Sequence, residues 1–366
     1  VPTESAHPGV SVVIPTYRGR HLLERFLPSV VETCRRYAGE TGAPVEILVV
    51  DDGGGDDTAE WLAEQAFPEV RLLSQAVNRG FAPNCNIGFR EARHPVVWLL
   101  NNDIETTPDA LAPLVAHFSD PNVFAVSCRA LRLGGEVIDG AGRLGEVVRG
   151  FWKVFANYDV LPDYDRSARG ELPTMTASGG YSAFDREKLL ALGGFEELLA
   201  PFYWEDVELC YRAWKRGWES RYEPESLVFH QMSATIGKKF TRSEVETVAM
   251  RNRILMHWIH LHDTRWWTMH WLMLGLIWLV AIAGGKTVHR RAISQAWARR
   301  KRAFERRREE MAAARRSDRE LVAILREVTR RPGVRTFKTP AEEEAFRAER
   351  GHSLESEVES LESRKR

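Results

Sequence analysis

The sequence predicts an α/β fold, a mainly parallel central sheet with flanking helices, followed by a helical C-terminal extension. Three observations carry that prediction. Short β-branched runs alternate with helical periodicity through the first hundred residues, and at this spacing consecutive strands pair in parallel through right-handed crossovers. Each run stops at a polar corner, on the rim where ligands of such sheets bind. After residue 235 the chain changes character: acids cluster before that point, whereas Lys286 to Arg316 holds twelve Lys/Arg against three Glu.

In order, Val10 to Pro15 reads as a buried strand ending in a turn-like Thr16-Tyr17-Arg18-Gly19-Arg20. Leu22, Leu23, Phe26, Leu27 and Val30 then mark a helix to about Tyr37, and Gly39 to Gly42 is a linker. Val45 to Val50 is a second strand, stopped by Asp51-Asp52-Gly53-Gly54-Gly55 before a helix from Ala59. Val70 to Leu73 is a third, and Asn78 to Asn84 is a loop opening a helix near Cys85 to Ala92, whose free amides favour an anion. The most apolar strand, Pro95 to Leu100, runs into Asn101-Asn102-Asp103. Turn chemistry alone accounts for such a corner. Against that, Asp103 is the third acidic element on one rim, and magnesium or manganese needs only one or two carboxylates beside water and phosphate oxygens.

Val123 to Cys128 is another strand, whereas the Gly-rich remainder to residue 175 reads as loops and short hairpins of undefined arrangement. Thr176 to Phe184 is a strand whose Gly179-Gly180 pair admits a ligand or backbone closely. Asp185 caps a helix to Leu192. The aromatic lead-in Phe202-Tyr203-Trp204 then delivers Glu205 and Asp206 to a helix start, with Val207, Tyr211, Trp214 and Trp218 as its core stripe. The adjacent stripe, Asp206, Cys210, Ala213 and Gly217, reads as a side that something bulky can approach. First-turn acids complement a helix dipole. Walled by aromatics, one carboxylate beside another also has its pKa raised toward use as a base. Ser220 to Phe229 is a late strand, with His230 just beyond it and a polar loop holding Ser233, Thr235, Lys238 and Lys239; for His230, structural and ligand roles stand level.

Composition bounds the rest. With 366 residues, 44% hydrophobic, the chain can bury a large core, and Lys+Arg equal Asp+Glu at 51 each. Four scattered cysteines indicate a reduced, cytosol-facing protein without a disulfide framework, and no secretory signal follows Val1. Trp266 to Ala283 has no formal charge over 18 residues, led by tryptophans and followed by the basic stretch. A buried helix or oligomer contact, an interfacial helix and a single span all fit; a helix lying in or dipping into the bilayer is favoured, because apolar surface plus Lys/Arg supplies two anchoring signals. Residues 290 to 330 read as one long exposed helix, and the polar tail after Arg331-Pro332-Gly333 as flexible. No nucleic-acid reading module is recognisable.

Taken together, Val-Val-Ile-Pro-Thr-Tyr at 12 to 17, Val-Asp-Asp-Gly at 50 to 53, Asn-Arg-Gly-Phe-Ala at 78 to 82 with Asn86 and Gly88, Asn-Asn-Asp at 101 to 103, Ser-Gly-Gly at 178 to 180, Gly-Gly-Phe-Glu-Glu at 193 to 197, Trp-Glu-Asp at 204 to 206 and His230 form an ordered set. This set resembles the family 2 glycosyltransferases, especially the bacterial rhamnosyl- and galactofuranosyltransferase-like branch, from Val10 to His230. The resemblance implies a Rossmann-like GT-A fold and an inverting, metal-dependent enzyme moving a sugar from a nucleotide-sugar donor to a lipid-linked or cell-surface glycan acceptor. It implies that Pro15, Tyr17 and Asp52 hold base and ribose with Asp51 nearby, and that Asn78, Gly80, Asn102, Asp103 and Gly179 belong to the donor site. Asp103 would bind Mn2+ or Mg2+, although Asn101 stands where the family's Asp-x-Asp element begins. His230 would complete the metal shell and favour manganese; Asp206 would be the general base and Glu205 its neighbour. The expected organisation is a catalytic domain at 1–235, a hydrophobic membrane-associating segment at 236–290 and a basic helical and flexible tail at 291–366. Expected partners are the donor, the acceptor and the cytoplasmic face of a bacterial membrane, met peripherally or through one short segment, with oligomeric state open. A non-catalytic nucleotide-sugar-binding scaffold is the alternative from another class. A processive polysaccharide synthase is discounted, because His262 to Trp266 only partly imitates that group's Gln-x-x-Arg-Trp motif.

Overall fold

A computed structural model of the protein describes residues 7–134, 138–231 and 240–349. The N-terminal pentapeptide, the loop with Ser233, Thr235, Lys238 and Lys239, and the end of the tail lie outside the described residues.

The first half alternates as expected, except that α1 runs on through Gly39 to Thr41, where a linker was expected, and is closed by left-handed Gly42: β1 (Val10–Thr16), α1 (Arg20–Thr41), β2 (Val45–Asp51), α2 (Thr58–Glu64), β3 (Val70–Ser74), α3 (Phe81–Glu91), β4 (Val96–Leu100), β5 (Ile104–Thr106) and α4 (Leu111–Ala116). Helix α3 starts four residues before the sequence suggests, because Phe81 to Asn84 joins its first turn. There follow β6 (Val123–Arg132), β7 (Ile138–Gly140), β8 (Gly142–Val148), β9 (Phe151–Val160), α5 (Arg166–Arg169), β10 (Tyr181–Asp185), α6 (Arg186–Leu192), α7 (Glu205–Lys215) and β11 (Glu219–His230). Strand β10 begins only at Tyr181, so Thr176 to Gly180, expected as strand, is loop and turn, while Asp185 caps α6 through the Lys188 amide at 2.9 Å, as predicted.

The main sheet runs β3-β2-β1-β4-β10-β6-β11-β5, with β7 against β6. Its first four strands are parallel, whereas β10 is antiparallel to both β4 and β6, so the sheet is mixed. The cause is local: β10 arrives from a hairpin excursion rather than a crossover helix, and its first residue pairs with the last residue of β4. Two inversions return β6 and β11 to the direction of β4. The ends of β1, β2, β4 and β11 and the start of β10 therefore share one rim. Apolar clusters fill both faces of the sheet.

Downstream lie α8 (Arg242–His260), α9 (Thr264–Ala283), α10 (Thr287–Ala298), α11 (Arg300–Ala313), α12 (Asp318–Val328), β12 (Val334–Phe337) and α13 (Pro340–Glu349). Three expectations fail here. Residues 290 to 330 are three helices instead of one, broken at Arg299 and restarted by a Ser317–Glu320 capping box. They are packed: Ala292, Ala296 and Ala303 are fully buried. The tail from Val334 to Phe337 is structured, since β12 pairs antiparallel with β9 and joins the β8–β9 hairpin in a second, three-stranded sheet.

The basic stretch turns partly inward. Arg306 Nε meets Glu196 at 2.8 Å, Arg216 meets Glu310 at 2.7 Å, and Arg307 lies 3.8 Å over the Trp267 ring while donating to Leu261 O at 2.8 Å. Asp318 is the hub, accepting from Tyr211 Oη, from Lys215 Nζ at 2.7 Å and from the amides of His262 and Asp263 at 2.7 and 2.6 Å. The synthase-like stretch His262 to Trp266 thus serves this hub. Helix α9 packs one side on α8, with Trp271 stacked on Trp258 at 5.3 Å. Its other side exposes Met269, Leu272, Leu276, Leu279, Val280 and Ile282.

Candidate active site

Rim corners are built by side chains that tie loops to one another. Pro15 is buried in β1, and Tyr17 is half-buried with the Arg18 guanidinium 5.4 Å over its ring. Asp51 accepts the Gly54 amide at 3.1 Å; burial pushes its carboxyl up against that hydrogen bond, and Asp56 and Asp52 add to the rise. Asp52 accepts the amides of Arg79 and Gly80, both at 2.8 Å, so it fixes the loop that also carries exposed Asn78. Gly80, at φ +95°, in turn lies against Pro201 of the acid-bearing turn. Asn102 donates to Thr16 Oγ1 at 2.8 Å and joins the β4 corner to β1.

Asp103 and His230 come together as the sequence suggested. His230, the last residue of β11 and not beyond it, sets Nε2 3.4 Å from Asp103 Oδ1, and Gln231 N donates to Asp103 O at 2.9 Å. Its Nδ1 meets Asp139 Oδ2 at 2.8 Å. Burial pulls the imidazole down, but the hydrogen bonds and charges of Asp103 and Asp139 prevail and raise it to about 9. Asp139 is lowered: its burial is outweighed by His230 and by Arg143 and Arg132. A carboxylate orienting one ring nitrogen while the other faces a second acid is the arrangement of a ligating histidine. Among the described residues no group of three His, Cys, Asp or Glu can hold a metal by itself. Asp103 and His230 therefore fit a divalent cation only if water and phosphate oxygens complete its shell, and only once His230 loses its proton.

Across the rim, α7 begins at the acids. Tyr203 and Trp204, at φ 69° and 76°, are successive left-handed residues, each on the order of 1–3 kcal/mol unfavourable. They turn the backbone so that Asp206 Oδ2 accepts the Gly179 amide at 3.3 Å and Oδ1 its neighbour's, Val207 N, at 2.7 Å. Burial and then the Asp206 charge push the Glu205 carboxyl up to about 8, and its Oε2 is buried without a hydrogen bond. Glu208 has a different fate. Fully buried, it pairs with Arg212 at 2.9 Å and meets His260 Nε2 at 2.6 Å. The latter looks like an ion pair, yet burial holds His260 down near 3; Arg212 already balances Glu208, so the imidazole is neutral and donates a hydrogen bond. Cys210 and Ala213 are also fully buried, with Cys210 Sγ 3.2 Å from Ala177 N, so the small-residue stripe is core and not an approach side.

One turn links the two acid sites. Gly179 faces Asp206, and a Cβ there would lie 3.4 Å from the Asp206 Cβ; Gly180 abuts Asn101, and a Cβ there would lie 2.7 Å from Asn101 Nδ2. Asn101 N also donates to Gly180 O at 2.8 Å. The structure thus gathers Asp51, Asp52, Gly80, Asn102, Asp103, Gly179, Glu205, Asp206 and His230 on one rim. Sequence reasoning missed Asp139, which lies in the stretch whose arrangement it left undefined. It also missed Arg251 and Asn252, which sit in a helix with polar residues throughout and carry no distinguishing signal.

The family described as Glycosyl transferase family 2 matches residues 11–193. N-acetylglucosaminyl-diphospho-decaprenol L-rhamnosyltransferase of Mycobacterium tuberculosis is 27% identical over 286 residues, 72% of this chain and 89% of the relative. Undecaprenyl-phosphate 4-deoxy-4-formamido-L-arabinose transferase of Pectobacterium atrosepticum is 35% identical over 113 residues, 30% of this chain and 33% of the relative. Among solved structures, GalNAc-T7 with UDP, GalNAc and Mn2+ superposes with a TM-score of 0.54 at 21% identity, over 70% of this chain and 49% of that one. That likeness bears on the fold alone.

Proposed function

The chain belongs to glycosyl transferase family 2, and from that premise we propose an inverting, divalent-metal-dependent transfer of one sugar from a nucleotide-diphosphate donor to a lipid-linked acceptor at the cytoplasmic face of the membrane. The observation that carries this reading is the Gly179-Gly180 turn, which touches the Asp206 carboxylate on one side and the Asn101 to Asp103 corner on the other. In this reading the sugar lies between a proton acceptor and a diphosphate holder that flank that one turn.

In this reading Asp206 takes the proton of the acceptor hydroxyl as its oxygen attacks the anomeric carbon, and the bond to the diphosphate breaks with its electron pair leaving on the phosphate. The amides of Gly179 and Val207 aim Asp206. Glu205, protonated near neutrality, leaves that proton to Asp206. Asp52 shapes the donor loop through Arg79 and Gly80. A divalent cation held by Asp103 and His230 would neutralise charge gathering on the departing nucleoside diphosphate.

The lipid acceptor and the membrane rest on two supports. One relative's name states a decaprenol-linked substrate. The other is α9, 20 residues long, in which an 18-residue window has mean hydropathy 1.5 and is 17% buried, and whose exposed stripe suits an interfacial helix.

The test is nucleoside diphosphate release from nucleotide sugars carrying rhamnose, galactofuranose, glucose, galactose or mannose, with a polyprenyl-diphosphate-linked acceptor. Asp206→Asn is expected to lower turnover by about 10²–10⁴-fold while nucleotide binding persists. Asp103→Ala is expected to weaken metal-dependent nucleotide binding. Near-normal turnover in Asp206→Asn removes it from the base role, and retention of anomeric configuration in the product removes inversion.

A further inference from the structure

We propose that Arg251 and Asn252, outside the matched family region on α8, are positioning residues for the acid pair, holding the turn from Leu199 to Trp204 so that Glu205 and Asp206 face the cleft. This rests on the acid-pair reading above. The side chain of Asn252, fully buried, shares its two Nδ2 hydrogens among Phe202 O and Tyr203 O, both at 2.9 Å, and Leu199 O. Arg251, also buried, donates through Nη2 to Leu199 O at 3.3 Å and Ala200 O at 2.5 Å. Its Nε donates to Asn252 Oδ1 at 2.9 Å, which directs the amide nitrogen toward the turn.

The acceptors decide the meaning of these contacts. They are carbonyls of the segment that places Tyr203 and Trp204 in the left-handed region immediately before Glu205. Rotation of the Tyr203 peptide would therefore swing the start of α7, and with it the carboxylates, away from Gly179. A misplacement of about 1 Å at a reacting group costs on the order of 10²-fold in rate. Helix α8 is also the helix against which α9 packs, with Trp258 on Trp271 and His257 stacked on His270 at 5.1 Å. The C-terminal layer is thus a working part of the site.

The experiment uses the full chain with Asn252→Ala, Arg251→Lys and a control on the same helix, Thr247→Val, whose hydroxyl donates to Ser243 O at 2.6 Å within α8. Asn252→Ala is expected to lower kcat by about 10²-fold with donor KM within about twofold. Arg251→Lys is expected to give a smaller loss of the same kind, and Thr247→Val none. Should Asn252→Ala fail to fold, Asn252→Gln, which retains the amide but displaces it, is expected to show the same kcat loss. A normal kcat in Asn252→Ala, or in Asn252→Gln where Ala does not fold, overturns the proposal, as does a rise in KM alone. Loss of turnover in Asp206→Asn beside normal turnover in Asn252→Ala sinks the positioning role only, whereas normal turnover in Asp206→Asn sinks the reading it rests on.

Discussion

The strand-end rim and the C-terminal helical layer meet at the acid-bearing turn, yet they are tied by different means. On the rim, carboxylates accept backbone amides of the loops: Asp51 takes the Gly54 amide and Asp52 those of Arg79 and Gly80. In the layer, single residues join distant segments: Asp318 binds Lys215 and Tyr211, Arg306 binds Glu196, and Asn252 binds Phe202 and Tyr203. The rim is a set of loop corners held largely through backbone amides, while the layer is a set of side-chain ties that hold the turn opposite it. Substitutions on the rim should therefore act on donor handling, and substitutions in the layer on stability or geometry.

The sharpest way to break that contrast is Asp318→Ala. Asp318 is 1% exposed, and its loss strands Lys215, which is 2% exposed. Removing one partner of a buried pair costs about 3–5 kcal/mol. Urea unfolding should register that loss, with nucleotide affinity of the remaining folded protein unchanged. A loss below about 1 kcal/mol would mean that the layer is only appended to the sheet.

A smaller effect is expected on the outer face of α9. Leu276 and Leu279 are 51% and 65% exposed, so replacing both by Asp should leave the unfolding midpoint in place. Binding to anionic phospholipid vesicles should fall by about tenfold or more. Sedimentation with vesicles reads the outcome, and equal binding by wild type and variant would leave that face without a membrane role.

The smallest effect concerns the boundary itself. Glu205 is raised from 4.5 to about 8 in the fold, so its contribution to stability is complete below pH 4.5 and is lost as pH rises through about 8. Glu205→Gln cannot titrate. Wild type should therefore lose thermal stability relative to the variant by a few degrees between pH 5 and 9, and parallel melting curves across that range would show that the carboxyl is not desolvated. The partial exposure of Glu205 keeps the expected shift small.

How much was legible follows from the same contrast. Strands β1, β2 and β4 were found within one or two residues, because an apolar run ended by Pro, Asp or Asn carries its own boundary. The capping role of Asp185 was equally local. The Ser317–Glu320 capping box was present in the sequence and would have divided the supposed long helix. The structured part of the tail had no such sign, because β12 is stabilised by pairing with β9, more than 170 residues earlier.

The sequence by itself determined the α/β class, the polar rim and the adjacency of Glu205 and Asp206, since alternation, turn chemistry and helix starts are properties of neighbouring residues. Tertiary structure alone decided which of three first-turn acids belongs to which task. Glu208 is consumed by Arg212 and His260, Glu205 is desolvated, and Asp206 reaches Gly179. It also decided that Asp139 backs His230 and that Asn252 grips the turn. The physical reason is that a carboxyl's proton affinity and a side chain's partner depend on what packs against them through space, and residues 50 or 90 positions apart leave no periodicity by which to recognise one another.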